Sequence, residues 1–209
     1  MSLFPIFLKL QGRPCLVVGA GEVAAEKITS LLQAGASLTV IAPERQAGIQ
    51  ALADAGKLTL RREIFQDADL ENVFMVVAAT NSSQVNHAIY LAARRRGILC
   101  NSVDDPPNCD FYFSSVVQRG DLQIAISTAG ESPALAQRLR REIDEQLPAD
   151  TGAWLAEVGK LRREVLAAYP PSSERKAWLH QLAQRSLCES SECPSRKFFH
   201  PSNIERGVQ

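Results

Sequence analysis

The sequence lacks an excess of either charge: 23 Lys and Arg stand against 23 Asp and Glu among 209 residues. That balance removes the electrostatic argument for a nucleic-acid partner or an anionic membrane surface. Long hydrophobic runs are also missing, and none approaches the roughly 18 residues of a membrane span. The opening MSLFPIFLKL has no basic leader and is broken by Pro5, so it does not read as a signal peptide, and a cytoplasmic protein is expected. Histidine is scarce: His87, His180 and His200 lie far apart and suggest no metal cluster, and no Ser/His/Asp nucleophile pattern appears. The five cysteines are odd in number and scattered. Cys15 and Cys100 sit in apolar runs and read as small core residues. Cys188 and Cys193 lie in a polar tail without a second pair, which favours structural or solvated thiols over a zinc site.

What is present is an ordinary globular composition, 45% hydrophobic, arranged as apolar runs alternating with helical patterns. Cys15–Val18 is a short apolar run of the kind that forms a buried strand. Ala24, Ile28, Leu31 and Leu32 then share one helical face, and Gly35 supplies the stop. Leu38–Ala42 predicts the second strand, followed by Pro43 and a helix carrying Ile49, Leu52 and Ala53. Leu58–Leu60 and Phe74–Ala79 predict the third and fourth. A helix with Ala88, Ile89 and Ala92 ends at Gly97, before a fifth strand at Ile98–Val103. After Asp105 the pattern changes. Phe111–Val117 and Leu122–Ser127 predict a hairpin through Gln-Arg-Gly-Asp. Ser132-Pro133 opens a helix that ends near Pro148. Two more helices follow, one with Trp154, Val158, Leu161 and Val165, the other starting at Ser173 with Trp178, Leu182 and Leu187. These stripes read as core packing, with the pairing of two subunits by part of the apolar surface as the alternative.

Gly19-Ala-Gly21-Glu-Val-Ala24 fits G-x-G-x-x-G/A, directly after a strand and opening a helix. The first glycine permits the tight turn, the second lets a pyrophosphate approach the backbone, and the small Ala24 allows close helix–strand packing. Unpaired amides at the positive helix end would hold the phosphates, which makes Gly19, Gly21, Glu22 and Val23 cofactor-binding candidates. The architecture expected is therefore a Rossmann-like α/β domain with a parallel sheet. The usual acid at the end of the second strand is missing at Ala42; Pro43 and Glu44 follow, and either Glu44 from a displaced turn or backbone groups would do its work. Arg45 would instead meet a ribose phosphate, so NAD and NADP both stay open on this ground.

Ligands of open parallel sheets bind beyond the carboxyl ends of the strands. Three polar groups should gather there: Thr80-Asn81, Asn101–Asp105 and Ser127–Ser132. Thr80-Asn81 fits a helix cap as well as a cofactor contact. Asp104 and Asp105 precede Pro106-Pro107, where a turn role is the plainer reading for either.

The stretches LFPIFLKLQGRPCLVVGAGEVAAEKITSLLQAGASLTVIAPE, VVAATNSSQVN and GILCNSVDDPPNCDFYFSSVVQRGDLQIAISTAGESPALAQRLRREI, in that order, resemble the start of siroheme synthases. The likeness is close over about residues 3–148 and looser to about 187. CNxVDDP, the FxFxS hairpin and the S-P-x-L-A helix carry more of it than the glycine turn does. The resemblance implies a bifunctional precorrin-2 dehydrogenase and sirohydrochlorin ferrochelatase. Its cofactor would be NAD, its substrates precorrin-2, sirohydrochlorin and ferrous iron, and its assembly a homodimer. It implies a catalytic role for Asp104 in both steps. Asn101, Ser127, Thr128 and Ser132 become substrate candidates, with Arg119, Arg138 and Arg141 as cationic groups that equally suit exposed turn or helix charges. The expected division is an NAD-binding domain over 1–113, a dimerisation and substrate region over 114–148, a helical region over 149–187 and a polar tail over 188–209.

Two departures stand out. Relatives often read S-S-G-G-x-S-P where this chain has Ser127-Thr-Ala-Gly-Glu-Ser-Pro133, so Ala129 brings a methyl group to a bend that glycine would ease. Larger relatives also carry a methyltransferase half, for which these 209 residues have no room, so methylation is expected from another protein. Two other readings remain: a dehydrogenase without chelation, and a nucleotide-sensing regulatory module that binds NAD without consuming it.

Overall fold

The computed structural model describes residues 3–44 and 46–183. Its two compact units divide between Phe113 and Ser114. In the first, five parallel strands form one sheet: β1 (Pro14–Val18), β2 (Ser37–Ile41), β3 (Thr59–Arg61), β4 (Met75–Ala78) and β5 (Leu99–Ser102). Their order is β3-β2-β1-β4-β5, so the chain reverses direction across the sheet between β1 and β4. Helices α1 (Glu22–Gln33), α2 (Ala47–Asp54) and α3 (Ser83–Arg95) alternate with the strands.

Burial on both faces explains why the strands read as continuous apolar runs. On one side Val17, Val40 and Val77 pack with Ala24, Ile28 and Leu31 of α1 and with Ile49 of α2. On the other, Leu16, Val18, Val76 and Cys100 pack with Ile89, Ala92 and Ala93 of α3. Fully burying one such aliphatic side chain contributes about 1.5–3 kcal/mol, so the spacing of Ala24, Ile28 and Leu31 is enough to fix the buried face of α1. Burial also pushes the Cys15 thiol up to about 11 and the Cys100 thiol up to about 12, so both stay protonated core side chains.

The second unit holds β6 (Ser115–Arg119) and β7 (Leu122–Ile126), which pair antiparallel, then α4 (Pro133–Gln146), α5 (Thr151–Ala168) and α6 (Ser173–Leu182). The hairpin turns on Gly120-Asp121, with Gly120 at φ +57° as a two-residue turn requires. Ser132 and Ser172 cap α4 and α6 by accepting from the amides of Leu135 and Arg175. Arg119 pairs with Asp144 of α4 at 2.7 Å, which ties hairpin to helix. None of the described helices is long and apolar enough to cross a membrane. Leu187 and the 188–209 tail, with Cys188, Cys193 and His200, lie outside the described residues, as does Arg45.

One expectation needs correction. The strand foreseen from Phe111 begins only at Ser115. Phe111 and Phe113 instead lay their rings, 5.5 Å apart, against the core of the first unit, and the Phe111 carbonyl accepts from Asn101 Nδ2 at 2.8 Å. Alternating aromatics satisfied the strand pattern, but their backbone groups are used elsewhere.

Ala129 has φ +53°, in the left-handed region where a Cβ is strained. The Ser127 hydroxyl accepts from the Ala129 amide at 3.1 Å and helps hold the bend. Ala129→Gly should raise stability by up to about 1 kcal/mol, the left-handed strain relieved less glycine's entropic cost. Urea unfolding of both proteins measures it, and a lower midpoint for the glycine variant would contradict the strain.

Candidate functional site

The carboxyl end of the sheet opens into a cleft of about 450 Å³, within the range of small-molecule sites. Its walls come from the segments after β1, β2, β3 and β4. Gly19, Gly21, Pro43, Glu44, Thr80 and Asn81 line it, together with Gln46, Glu63, Ile64, Phe65 and Val85, which sequence reasoning did not single out. Ile64 is an apolar side chain left 71% exposed, on a turn with no periodicity to mark it.

The two glycines of the turn serve different needs. Gly19 has φ +113°, and a Cβ there would come within 2.1 Å of the Ala79 carbonyl oxygen. Gly21 has φ −70°, and a Cβ there would meet nothing within 4 Å. The first glycine is thus demanded by the fold and the second is not. Gly21 begins α1 without any side-chain cap, and the amides of Glu22, Val23 and Ala24 have no partner among the described residues. Glu22 and Val23 are not among the residues that line the cleft, whose glycine segment stops at Gly21; their backbone donors lie at the positive end of the helix just beyond it. This uncapped start fits a phosphate group.

Thr80 has a partner the sequence concealed. Its hydroxyl lies 2.7 Å from Asn86 Oδ1, its amide donates to the same oxygen at 3.1 Å, and Asn86 Nδ2 returns a bond to the Thr80 carbonyl at 3.1 Å. Asn86 is buried at 5% exposure, on a helix where an asparagine reads as solvent-facing. Ser82, not Asn81, caps α3, accepting from the Val85 amide at 3.3 Å. Asn81 is left exposed on the cleft wall.

Glu44 and Glu63 bring two carboxylates to the lining. Glu63 is engaged by Arg61, whereas Glu44 is exposed and makes no bond or ion pair among the described residues. No Lys or Arg is among the described lining residues.

Asp104 lies outside this lining, in the turn after β5, the strand next to β4. It is exposed, at φ +58°, and its carboxylate has no partner among the described residues. Asp105 takes the turn role instead, accepting from Asn108 Nδ2 at 2.6 Å. Asn101 is buried, and its amide nitrogen donates to Phe111 O and Cys109 Sγ, so that nitrogen is committed to the loop rather than to a ligand.

In the second unit Ser127 Oγ accepts from Ala129 N, Thr128 Oγ1 from Ser132 N and Ser132 Oγ from Leu135 N. Each oxygen is held by a backbone donor, leaving each hydroxyl proton to donate. Arg138 is paired with Glu142, and the charges of Arg119 and Arg140 are met by Asp144. Arg141 is exposed.

Residues 6–115 match a family model described as "Putative NAD(P)-binding", and residues 119–146 match one described as "Sirohaem biosynthesis protein central". The chain belongs to the NAD(P)-binding family found at the start of siroheme synthases. A siroheme synthase of Methylococcus capsulatus is 40% identical over 94% of this chain and 45% of its own length. One from Photorhabdus laumondii is 40% identical over 87% of this chain and 38% of its own. The chain therefore spans less than half the length of these curated relatives. A solved structure titled "SirC, precorrin-2 dehydrogenase" is similar with a TM-score of 0.77 at 28% identity, covering 98% of this chain and 100% of that one. The family's cofactor is a nicotinamide dinucleotide, and the cleft with its uncapped helix is where this chain's residues fit one.

The two glycines separate stability from binding. Gly21→Ala should leave the melting temperature unchanged while weakening NAD binding about tenfold, or 1.4 kcal/mol. Gly19→Ala should lower the melting temperature outright, because its Cβ meets strand backbone. Thermal melts and dinucleotide titration read both effects, and full NAD affinity in Gly21→Ala would remove the cleft from consideration.

Proposed function

We propose that this protein oxidises precorrin-2 to sirohydrochlorin with NAD, and then inserts ferrous iron to give siroheme. The observation that carries this reading is the free, exposed Asp104 carboxylate one strand along from the cleft. The siroheme synthase relatives and the precorrin-2 dehydrogenase neighbour support it.

Converting precorrin-2 to sirohydrochlorin removes one hydride and one proton. NAD, when bound, supplies the acceptor for the hydride. What the chain supplies is geometry and a base. The uncapped amides of α1 would hold the pyrophosphate of the dinucleotide, and Asn86 fixes Thr80 at the end of β4 by hydrogen bonds. Asp104 takes the proton, for which an unpaired carboxylate is suited. Insertion of ferrous iron releases two pyrrole protons from sirohydrochlorin, and the same carboxylate can receive them in turn. Within the second unit, the hydroxyls of Ser127, Thr128 and Ser132 keep protons that can be donated to an anionic group.

A homodimer belongs to the same reading. A two-stranded sheet is marginal alone, and β6 leaves Val116 exposed while α4 leaves Leu135 exposed.

Asp104→Ala should lower the turnover of precorrin-2 by about 100-fold or more, the usual contribution of a positioned base, with NAD affinity unchanged. Anaerobic assays following NADH and the pigment spectrum together, with and without ferrous iron, check both steps. If both rates survived the substitution, the assignment would fall; if NAD were bound but never reduced, the protein would be a sensor.

Glu44 bears on cofactor choice, because a carboxylate on the wall repels a ribose phosphate and accepts from ribose hydroxyls. NAD should be preferred over NADP by about tenfold or more in KM, and Glu44→Gln should narrow that ratio. Steady-state assays with both cofactors decide it, and an unchanged ratio would assign selectivity elsewhere.

A further inference from the structure

The turn after β5 puts two adjacent carboxylates in opposite circumstances. Asp104 is unpartnered, and both of its flanks are anchored. On one side the Val103 amide donates to Ala78 O of β4 at 2.9 Å. On the other, the Asp105 amide donates to Ser102 O at 3.2 Å, and its carbonyl accepts from the Asn108 amide at 2.9 Å. The Asp105 carboxylate accepts from Asn108 Nδ2 at 2.6 Å and lies 3.5 Å from Ser102 Oγ. Cys109 Sγ sits 3.1 Å from Ser102 O and 3.4 Å from Asp105 O, and Asn101 Nδ2 reaches that sulfur at 3.4 Å.

A non-glycine residue in the left-handed region is strained and persists only where its surroundings over-determine it. Here the surroundings are a ring of bonds that closes on Asp105. We propose that Asp105, gripped by Asn108 and Cys109, is a positioning residue that fixes the direction of the Asp104 carboxylate. The inference rests on the reading of Asp104 as the proton acceptor. It assigns the two acids different duties: Asp104 meets the substrate, and Asp105 acts only through Asp104. The duties differ chemically, since an asparagine at 105 keeps an acceptor oxygen for Asn108 but cannot take up a proton.

The test measures kcat and KM for precorrin-2 and NAD with the full chain, alongside thermal melts. Asp105→Ala should lower kcat about 100-fold, as expected of a misplaced reacting group, with KM for NAD unchanged. Asp105→Asn should restore most of that loss. Combining Asp105→Ala with Asp104→Asn should be no slower than Asp104→Asn alone, because the bracket has nothing left to aim. If Asp105→Asn were as impaired as Asp105→Ala, or the double variant multiplied both losses, Asp105 would be acting on its own and the proposal would fall. Should Asp105→Ala not fold, Asn108→Ala removes only the donor at 2.6 Å and should lower kcat in the same way; an unchanged kcat would overturn the bracket. Wild-type turnover in Asp104→Asn would overturn the reading beneath it, and that failure shows before residue 105 is touched.

Discussion

The close approach of Gly19 to the Ala79 carbonyl governs the working end of the sheet. β1 and β4 are paired up to Val18 and Ala78. Just beyond that pair the two segments meet at a contact that leaves no room for a Cβ, with the Gly19 amide donating to Ile41 O and the Ala79 amide to Val18 O. From this point β1 turns into α1, whose first three amides are left unpaired among the described residues while Ala24, Ile28 and Leu31 stay buried. Thr80, the next residue on the other side, is locked by Asn86. The Gly19 contact and the Thr80–Asn86 bonds thus stand side by side at the end of the sheet where the cleft opens.

Much of the first unit was legible because its signals are redundant. The strands β1, β2 and β4 are short apolar runs, the helices carry periodic stripes, and many boundaries carry a glycine, proline or capping serine. Strand order is a tertiary outcome, and periodicity does not contain it. The Phe111–Ser114 segment misled because aromatic alternation suits a strand and equally suits two rings packed on a core. Asn86 was hidden for a related reason: an asparagine on a helix resembles a surface residue until a threonine six positions earlier is seen to bond it three ways. Ile64 and Phe65 joined the cleft from a turn without any pattern. The departure at Ala129 was visible, though not that the alanine would hold the left-handed bend itself.

The two units leave different kinds of hydrogen-bond donor unused at a helix start. The first leaves main-chain donors unpaired at a helix start, which favours negative charge through the helix dipole as well. The second satisfies its amides with Ser127, Thr128 and Ser132 oxygens, so the donors left over are hydroxyl protons. Backbone donors are fixed in direction, whereas hydroxyl donors rotate.

The Asp104–Asp105 contrast follows from the prolines behind it. Pro106 disfavours the helical region for the residue before it, and Asp105 accordingly sits at φ −133° and ψ 73°. Neither Pro106 nor Pro107 has an amide to donate, so the first donors after Asp105 are those of Asn108 and Cys109, which bond back to Asp105 O and Pro106 O. With Asp105 barred from bending and Val103 tied to β4, the reversal must fall on residue 104, which takes φ +58°. Aspartate is among the few residues besides glycine that visit this conformation readily. The same constraint that bends the chain at 104 keeps that carboxylate clear of the bonds its neighbour makes.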